Sequence, residues 1–229
     1  MIAKKKTFTI GAIMLVIFVA VLITIFSPVF NGQNGLEYLD ALYNSISKGS
    51  AYYIPKVKAE SDQFMDAPVT MTLDMGDKAH ADQTALLFQK AGASTKVSDG
   101  TLKVTGDLGK ILDNCLTDSD SMYNNDGKTI TEKYGYNEKQ ALYNWWKACN
   151  EMDKDLKRQR KFKEAQVISM LKKKAVETSY NYYTIEPQKI TDRMGIVIFS
   201  LIFYVIYTMW YGFSIMYLFE GWGLQLEEH

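Results

Sequence analysis

The stretch MGIVIFSLIFYVIYTMWYGFSIMYLF, residues 194–219, contains no charged residue and decides the architecture of the chain. A helix rises about 1.5 Å per residue, so about 20 apolar residues cross the ~30 Å hydrocarbon core of a bilayer. These 26 residues therefore predict a transmembrane helix with some tilt. A second uncharged run, the 19 residues 8–26, is just long enough to cross. The sequence thus predicts two transmembrane helices on either side of a polar central domain.

The first apolar run must be distinguished from a cleavable signal peptide, because Lys4, Lys5 and Lys6 precede it. Signal peptides usually have about 7–15 apolar residues followed by a small-x-small cleavage site. Here the run is longer, and Ser27-Pro28-Val29-Phe30 follows it. We therefore interpret the segment as an uncleaved signal anchor.

The positive charges also predict the orientation in the membrane. By the positive-inside rule, Lys4–Lys6 keep the N-terminus in the cytoplasm, and a second span returns the C-terminus to the same side. Lys189 and Arg193 beside the second span favour the opposite orientation, but long domains cross largely regardless of charge. We expect an inner (cytoplasmic) membrane protein with both termini cytoplasmic and a periplasmic central domain.

Turn signals, apolar periodicity and charge divide the chain into eight segments of an α+β membrane protein. These are a cytoplasmic N-terminus (1–7), the first transmembrane helix (8–28), an amphipathic helical segment (29–66), a small α/β extracytoplasmic unit (67–127), a long basic helix (128–186), a membrane-entry linker (187–193), the second transmembrane helix (194–219) and a short cytoplasmic tail (220–229).

The small α/β unit is predicted to run strand, helix, strand, strand, helix. The segment 69–73 alternates and is rich in β-formers, and residues 77–91 fit a helix that Gly92 ends. Asp99-Gly100 favours a hairpin turn between the next two strands, and Asp107 is a helix cap. A polar loop is expected over 118–127.

A long helical pattern follows the polar loop. Residues 138–180 contain neither Pro nor Gly and are rich in helix formers, so one helix of about 60 Å is expected. Such a helix would stand away from the membrane or pack along a partner.

Charge is uneven although the net charge is zero. Residues 60–126 hold twelve acidic and five basic residues, and residues 154–174 hold nine basic and two acidic ones. These stretches either pack against each other or against neighbouring copies, or form solvated faces. Because we expect the basic helix outside the cytoplasm, a partner protein or anionic headgroups are better candidates than nucleic acid. The predicted contact residues are Arg158, Arg160, Lys161 and Lys163.

Two cysteines, Cys115 and Cys149, fall in the predicted periplasmic domain. An even number of cysteines in an oxidising compartment favours one disulfide. By closing a loop in the unfolded chain, it would stabilise the fold by roughly 3–4 kcal/mol in the chain-entropy model. The alternative is two buried, unpaired thiols.

No motif in the sequence predicts catalysis or a bound cofactor. Met65, Met71, Met75 and His80 form a thioether-plus-imidazole set that would suit copper(I), but methionine is more often core filler. The sequence has no phosphate loop, no zinc spacing and no haem-attachment motif. We therefore expect neither a metal, nor a cofactor, nor an enzyme.

The second span is unusually aromatic, and a helix that touches only lipid has little need of tyrosine hydroxyls at depth. Thr208 and Gly212 form a small-x-x-x-small step, which favours close helix packing. We predict that the span packs against other transmembrane helices through Tyr204, Tyr207, Thr208, Tyr211, Gly212 and Ser214.

These features favour a non-catalytic accessory subunit of a larger membrane complex, with a respiratory or other redox assembly as one plausible host. The expected partners are other integral membrane subunits and the lipid bilayer, no nucleic acid, and a second copy of the chain in a homo-oligomer. The alternative is an extracytoplasmic sensor or ligand-binding module. Its predicted ten-residue cytoplasmic tail is too short for an output domain, so a sensor would signal through a partner.

Overall fold

The computed structural model describes residues 2–30 and 32–224, so the end of the predicted tail, 225–229, lies outside the described residues. The fold is α+β, with a small antiparallel sheet and a large helical content. Its helices and strands are α1 (Lys5–Phe26), α2 (Gly35–Ser50), α3 (Ile54–Ser61), β1 (Pro68–Asp74), α4 (Lys78–Lys90), β2 (Ser94–Ser98), β3 (Thr101–Asp107), α5 (Leu108–Tyr123), α6 (Gly127–Tyr134), α7 (Glu138–Arg158), α8 (Phe162–Leu171), α9 (Glu177–Tyr182) and α10 (Ile190–Trp222).

The chain divides into two compact units. The terminal unit comprises Met1–Gly49 and Pro187–His229, and the central domain comprises Ser50–Glu186. Among the described residues, α1 and α10 are the helices long and apolar enough to cross a membrane, as judged by length and composition. Both belong to the terminal unit.

The terminal unit is built on direct contact between α1 and α10. A Cβ added at Gly11 would lie 2.7 Å from the Leu218 backbone nitrogen, and one at Gly221 would lie 2.5 Å from that of Phe8. Only glycine permits this approach of two backbones. The Lys4 amide donates to the Gly221 carbonyl (2.9 Å), and the Lys4 ammonium pairs with Glu220 at 2.7 Å. The start of α1 and the end of α10 therefore meet.

Helix α2 is joined to both apolar helices. Its first turn is held by a capping box in which Asn34 and Glu37 exchange two hydrogen bonds of 2.9 Å. The Phe30 ring, just after α1, stacks on Tyr38 at 5.3 Å, and the Tyr43 hydroxyl is 2.7 Å from that of Ser200 on α10. The amphipathic helix expected here is thus present and fixed at both ends.

The central domain contains the predicted strand, helix, strand, strand, helix order, as β1, α4, β2, β3 and α5. The strands form an antiparallel sheet in the order β1-β3-β2. Asp99 and Gly100 both have positive φ (43° and 81°) at the β2–β3 turn, as a type I′ hairpin requires. Asp107 caps α5, as expected, and Asp77, expected as the first residue of the helix, caps α4. Alternate β1 residues are buried, so one face of the sheet covers the core.

Helix α7 covers the free edge of β1. The Asp155 carboxylate accepts a hydrogen bond from the Thr72 amide (3.3 Å), and the Gln159 side chain donates to the Thr70 carbonyl (2.9 Å). These side chains occupy backbone groups that would otherwise offer an open edge for pairing with another chain.

Two sequence predictions in this domain are wrong. The single helix expected over 138–180 ends at Arg158, and the chain turns back through Gln159–Lys161 into α8, with Arg160 in the left-handed region (φ 62°). The turn lets α7 and α8 pack on each other, which a straight helix would prevent. The polar loop expected over 118–127 is helical up to Tyr123, because its first residues face the core.

We predict that Gly11→Leu separates α1 from α10, because its side chain would enter the Leu218 backbone. Oxidative cross-linking of Lys4→Cys with Glu220→Cys, in a Cys115→Ser/Cys149→Ser background, should then fall several-fold. Gly195→Leu is the matched control, since a Cβ at Gly195 meets nothing within 4 Å. Equal yields in both variants would contradict the close packing.

Candidate interaction surfaces

The predicted transmembrane contact residues divide between two sides of α10. Tyr207 stacks on Phe18 of α1 with ring centroids 4.4 Å apart, and Ser214 is fully buried beside Gly11. The Trp210 indole also faces α1 and donates to the Met14 carbonyl at 3.2 Å. Part of the predicted set therefore packs within the chain itself.

Tyr211 also packs on α1, with its ring centroid 5.2 Å from that of Phe18. The remaining three residues form what we call the outer face of α10: Tyr204, Thr208 and Gly212. Tyr204 is 68% exposed, and a Cβ at Gly212 would meet nothing within 4 Å. Among the described residues, the Tyr204 and Tyr211 hydroxyls have no hydrogen-bond partner. This face contains one ridge of residues spaced four apart, namely Tyr204, Thr208 and Gly212. The ridge ends at Gly212, where the absence of a side chain leaves a gap.

The predicted basic contact residues fall together where α7 turns into α8. We call Arg158, Arg160, Lys161 and Lys163 the basic turn. In the described part of the chain, no carboxylate lies within 4 Å of any of their charged groups. The left-handed Arg160 and a hydrogen bond from the Lys161 amide to the Leu156 carbonyl (2.9 Å) fix the turn. Four unpaired cations are thus concentrated at one end of the α7–α8 hairpin.

A buried carboxylate lies at the centre of the domain. Asp118, on α5, is 1% exposed and accepts hydrogen bonds from Lys133 (2.6 Å), Tyr134 (2.5 Å) and Trp145 (2.8 Å). Asn114 extends the network, because it accepts from Lys133 and donates to the Leu87 carbonyl at 3.0 Å. Four helices, α4 to α7, are therefore joined through one polar cluster.

The Asp118 cluster is arranged for stability. Both carboxylate oxygens are occupied, as a buried charge requires. Burial and the adjacent Asp118 raise the pKa of Tyr134 well above its usual range, so this hydroxyl stays protonated and keeps donating. Burial also raises the pKa of Tyr136 to about 12. The cluster lies inside the domain, which makes it a junction between helices.

Sequence reasoning missed Asp118 because it assigned the residue to a solvated loop. A signal was present: the apolar spacing of Leu112, Cys115 and Leu116 continues to Ser119 and Met122, which are also buried. Asp118 lies on that same side of the helix. If the helical spacing of three and four residues is continued beyond Leu116, it predicts that the Asp118 carboxylate lies in the core.

The structure brings the two cysteines together as free, buried thiols across the α5–α7 contact. Each lies about one helical turn from Asp118 or Trp145, which meet across the same contact. Burial first, and then the hydrogen bond to Cys149, raise the pKa of the Cys115 thiol well above its usual range. A protonated thiol is a weak nucleophile. The disulfide stays a prediction that depends on the compartment of the domain.

The thioether-plus-imidazole set does not assemble. Met71 and Met75 are fully buried in the core, whereas Met65 is exposed before β1 and packs on Gly109. His80 lies on the first turn of α4, where its ring nitrogen is 2.6 Å from Asp77. In residues 2–30 and 32–224, no group of three or more His, Cys, Asp or Glu side chains could hold a metal.

Comparisons with protein-family models, with curated proteins and with solved structures found no significant match to this chain.

We predict that Asp118→Ala lowers the free energy of unfolding by about 3–5 kcal/mol, because it leaves Lys133 and two buried donors without their acceptor. Urea unfolding of the full chain in detergent micelles, followed by tryptophan fluorescence, measures this. Asp113→Ala is the control, because its exposed pair with Lys58 is expected to contribute about 0–1 kcal/mol. Similar losses in both variants would show that the buried cluster is not the junction.

Proposed function

We propose that this chain is a non-catalytic accessory subunit of a larger membrane complex, inserted in an inner membrane by α1 and α10. Lys4–Lys6 keep both termini in the cytoplasm, and the central domain lies in the periplasm. The outer face of α10 docks on a transmembrane helix of the host complex, and the central domain covers part of a partner. A respiratory or other redox assembly is one such host.

The observation that carries this proposal is the exposed outer face of α10. In hydrocarbon, the hydroxyl of Tyr204 on this face needs a protein partner, because an unsatisfied hydroxyl costs roughly 1–3 kcal/mol. The gap at Gly212 lets another helix approach closely. Contact with a second protein helix would satisfy both requirements together.

The depth of this face supports the same conclusion. Helix α10 has 33 residues and so is about 50 Å long, which exceeds the ~30 Å hydrocarbon core. The segment 204–212 lies near the middle of the uncharged run 194–219. Tyrosines gather in the interfacial belts of single-span helices, and residues this far from both ends of the run are outside such belts.

Contacts with α1 explain why α10 is the docking helix. The glycines and aromatic rings on one side of α10 are already used within the chain, at Gly221, Trp210 and Tyr207. The exposed side of α1 offers Ile13, Val16 and Ile23, which lipid solvates well. The polar and small residues that lipid solvates poorly remain on the outer face of α10.

We predict that Gly212→Leu releases the chain from its host complex without disturbing the α1–α10 contact, because the new side chain fills the gap that a partner helix would use. Native membranes extracted in mild detergent and separated on a native gel should show the wild type in a large assembly and the variant near its own 26.1 kDa plus detergent.

Gly195→Leu is the matched control, since Gly195 is equally open but lies about 100° around the helix from Gly212. It should remain in the assembly. A wild-type chain that migrates alone, or equal release of both variants, would refute docking through the outer face.

A further inference from the structure

A groove runs along the α7–α8 hairpin and opens beside the basic turn. Its volume is about 430 Å³. Successive turns of α7 form one wall, and one side of α8 and the turn after it form the other. The lining residues, which we call the basic groove, are Asp153, Lys157, Phe162, Gln166, Ser169, Met170, Lys173 and Lys174.

The groove combines an apolar patch with positive charge. Phe162, at the start of α8, is 64% exposed, and Met170 lies half-buried two turns further on. Lys157 is neutralised by Asp153 at 2.7 Å. Lys173 and Lys174, in contrast, have no carboxylate within 4 Å among the described residues. The groove thus has two cations without a carboxylate partner, and the basic turn lies in the chain between its α7 and α8 walls.

The backbone is irregular at both ends of the groove. The left-handed Arg160 lies at the turn, and the segment Lys172–Val176 is a π-helix. Single π-helical turns inside helices are rare and occur often at functional sites. Here the π-helical turn carries Lys173 and Lys174, which line the groove.

The basic turn lies at the end of α7 away from the chain termini of the domain, whereas Lys174 of the groove lies 5.6 Å from the ring centroid of Tyr53, near the start of the domain. The N-terminal end of α7 contacts Tyr183, whose hydroxyl donates to Glu138 at 3.2 Å. The other terminus is held nearby, since Asn125 donates to Glu186 and Tyr52 donates to Asp120 within the same turn region. Helix α7 has 21 residues, so the basic turn is about 30 Å away from this end.

We infer that the basic groove binds an acidic segment of a partner subunit that inserts an apolar side chain against Phe162 and Met170. Its carboxylates pair with the basic turn and with Lys173 and Lys174. This inference rests on the proposed function, because it specifies the chemistry of the partner that the central domain covers. Many charges steer the encounter, and the apolar contact gives the complex its lifetime.

The test uses the full chain in nanodiscs of neutral lipid and a fluorescent twelve-residue peptide of Asp and Glu with one central Leu. Fluorescence anisotropy should show saturable binding that weakens with added salt. The same peptide with Ser in place of Leu should bind about tenfold more weakly. Phe162→Ser should remove that difference between the two peptides.

The quadruple variant Arg158→Gln/Arg160→Gln/Lys161→Gln/Lys163→Gln should weaken binding at least tenfold. The matched control removes four exposed cations elsewhere, as Lys90→Gln/Lys96→Gln/Lys103→Gln/Lys128→Gln, and should change binding less than twofold. Equal loss in the two variants, or equal binding of the Leu and Ser peptides, would overturn the inference.

A third arm offers vesicles with 30% phosphatidylglycerol to the same nanodiscs. Vesicle capture without peptide binding would assign the groove to lipid headgroups and would also overturn the inference. The outcome is independent of the native-gel test on Gly212→Leu, since no host complex is present. If the groove binds the peptide but the wild-type chain migrates alone on the native gel, the proposed subunit role is refuted and the inference about the groove is still supported.

Discussion

Backbone contact between α1 and α10 is the interaction on which the terminal unit depends. At Gly11 and Gly221 the two helices approach so closely that a single added carbon would collide with the opposite backbone. Close approach strengthens dispersion along the contact, which is the main attraction between helices where hydrophobic burial is already complete. The hydrogen bond and ion pair at Lys4 then join the two ends of the chain.

Because the start of α1 is joined to the end of α10, the chain between the two helices must begin and end at nearby positions. Hydrogen bonds within the central domain hold its first and last residues close together. Residues near its start and end are bonded around the C-terminal end of α5, through Tyr52–Asp120 and Asn125–Glu186. The Asp118 cluster lies about one turn earlier in the same helix and holds α4 to α7 in place. One helix therefore both closes the domain and organises its core.

Local signals predicted much of this fold, and the failures have a common cause. The caps at Asp77 and Asp107 and the Asp99-Gly100 turn act within a few residues, so the order of elements in the small α/β unit could be predicted. Caps and turns do not reach Asp118: only the continued helical period of α5 places it in the core, and its partners lie 15 to 27 residues further along the chain. The break at Arg160 likewise follows from packing of α8 on α7, with neither Pro nor Gly to mark it.

For the candidate surfaces, the sequence indicated which residues to consider but not how the fold arranges them. The transmembrane contact set was predicted from residue type, and only the position of α1 separates Tyr207 and Ser214 from the outer face of α10. The basic contact residues were predicted on a straight helix. The turn at Gln159–Lys161 instead gathers them at one end of the α7–α8 hairpin, next to Phe162, which lines the groove and which charge alone did not single out.

The proposed function requires the central domain and Lys4–Lys6 to lie on opposite sides of one membrane. Labelling of single introduced cysteines with a membrane-impermeant maleimide in spheroplasts tests this directly. Cys115 and Cys149 are buried and stay silent, and the Lys128 side chain is 84% exposed. Lys128→Cys should label in intact spheroplasts, and Lys5→Cys only after permeabilisation. The reverse pattern, or a chain that stays soluble without detergent, would contradict the account.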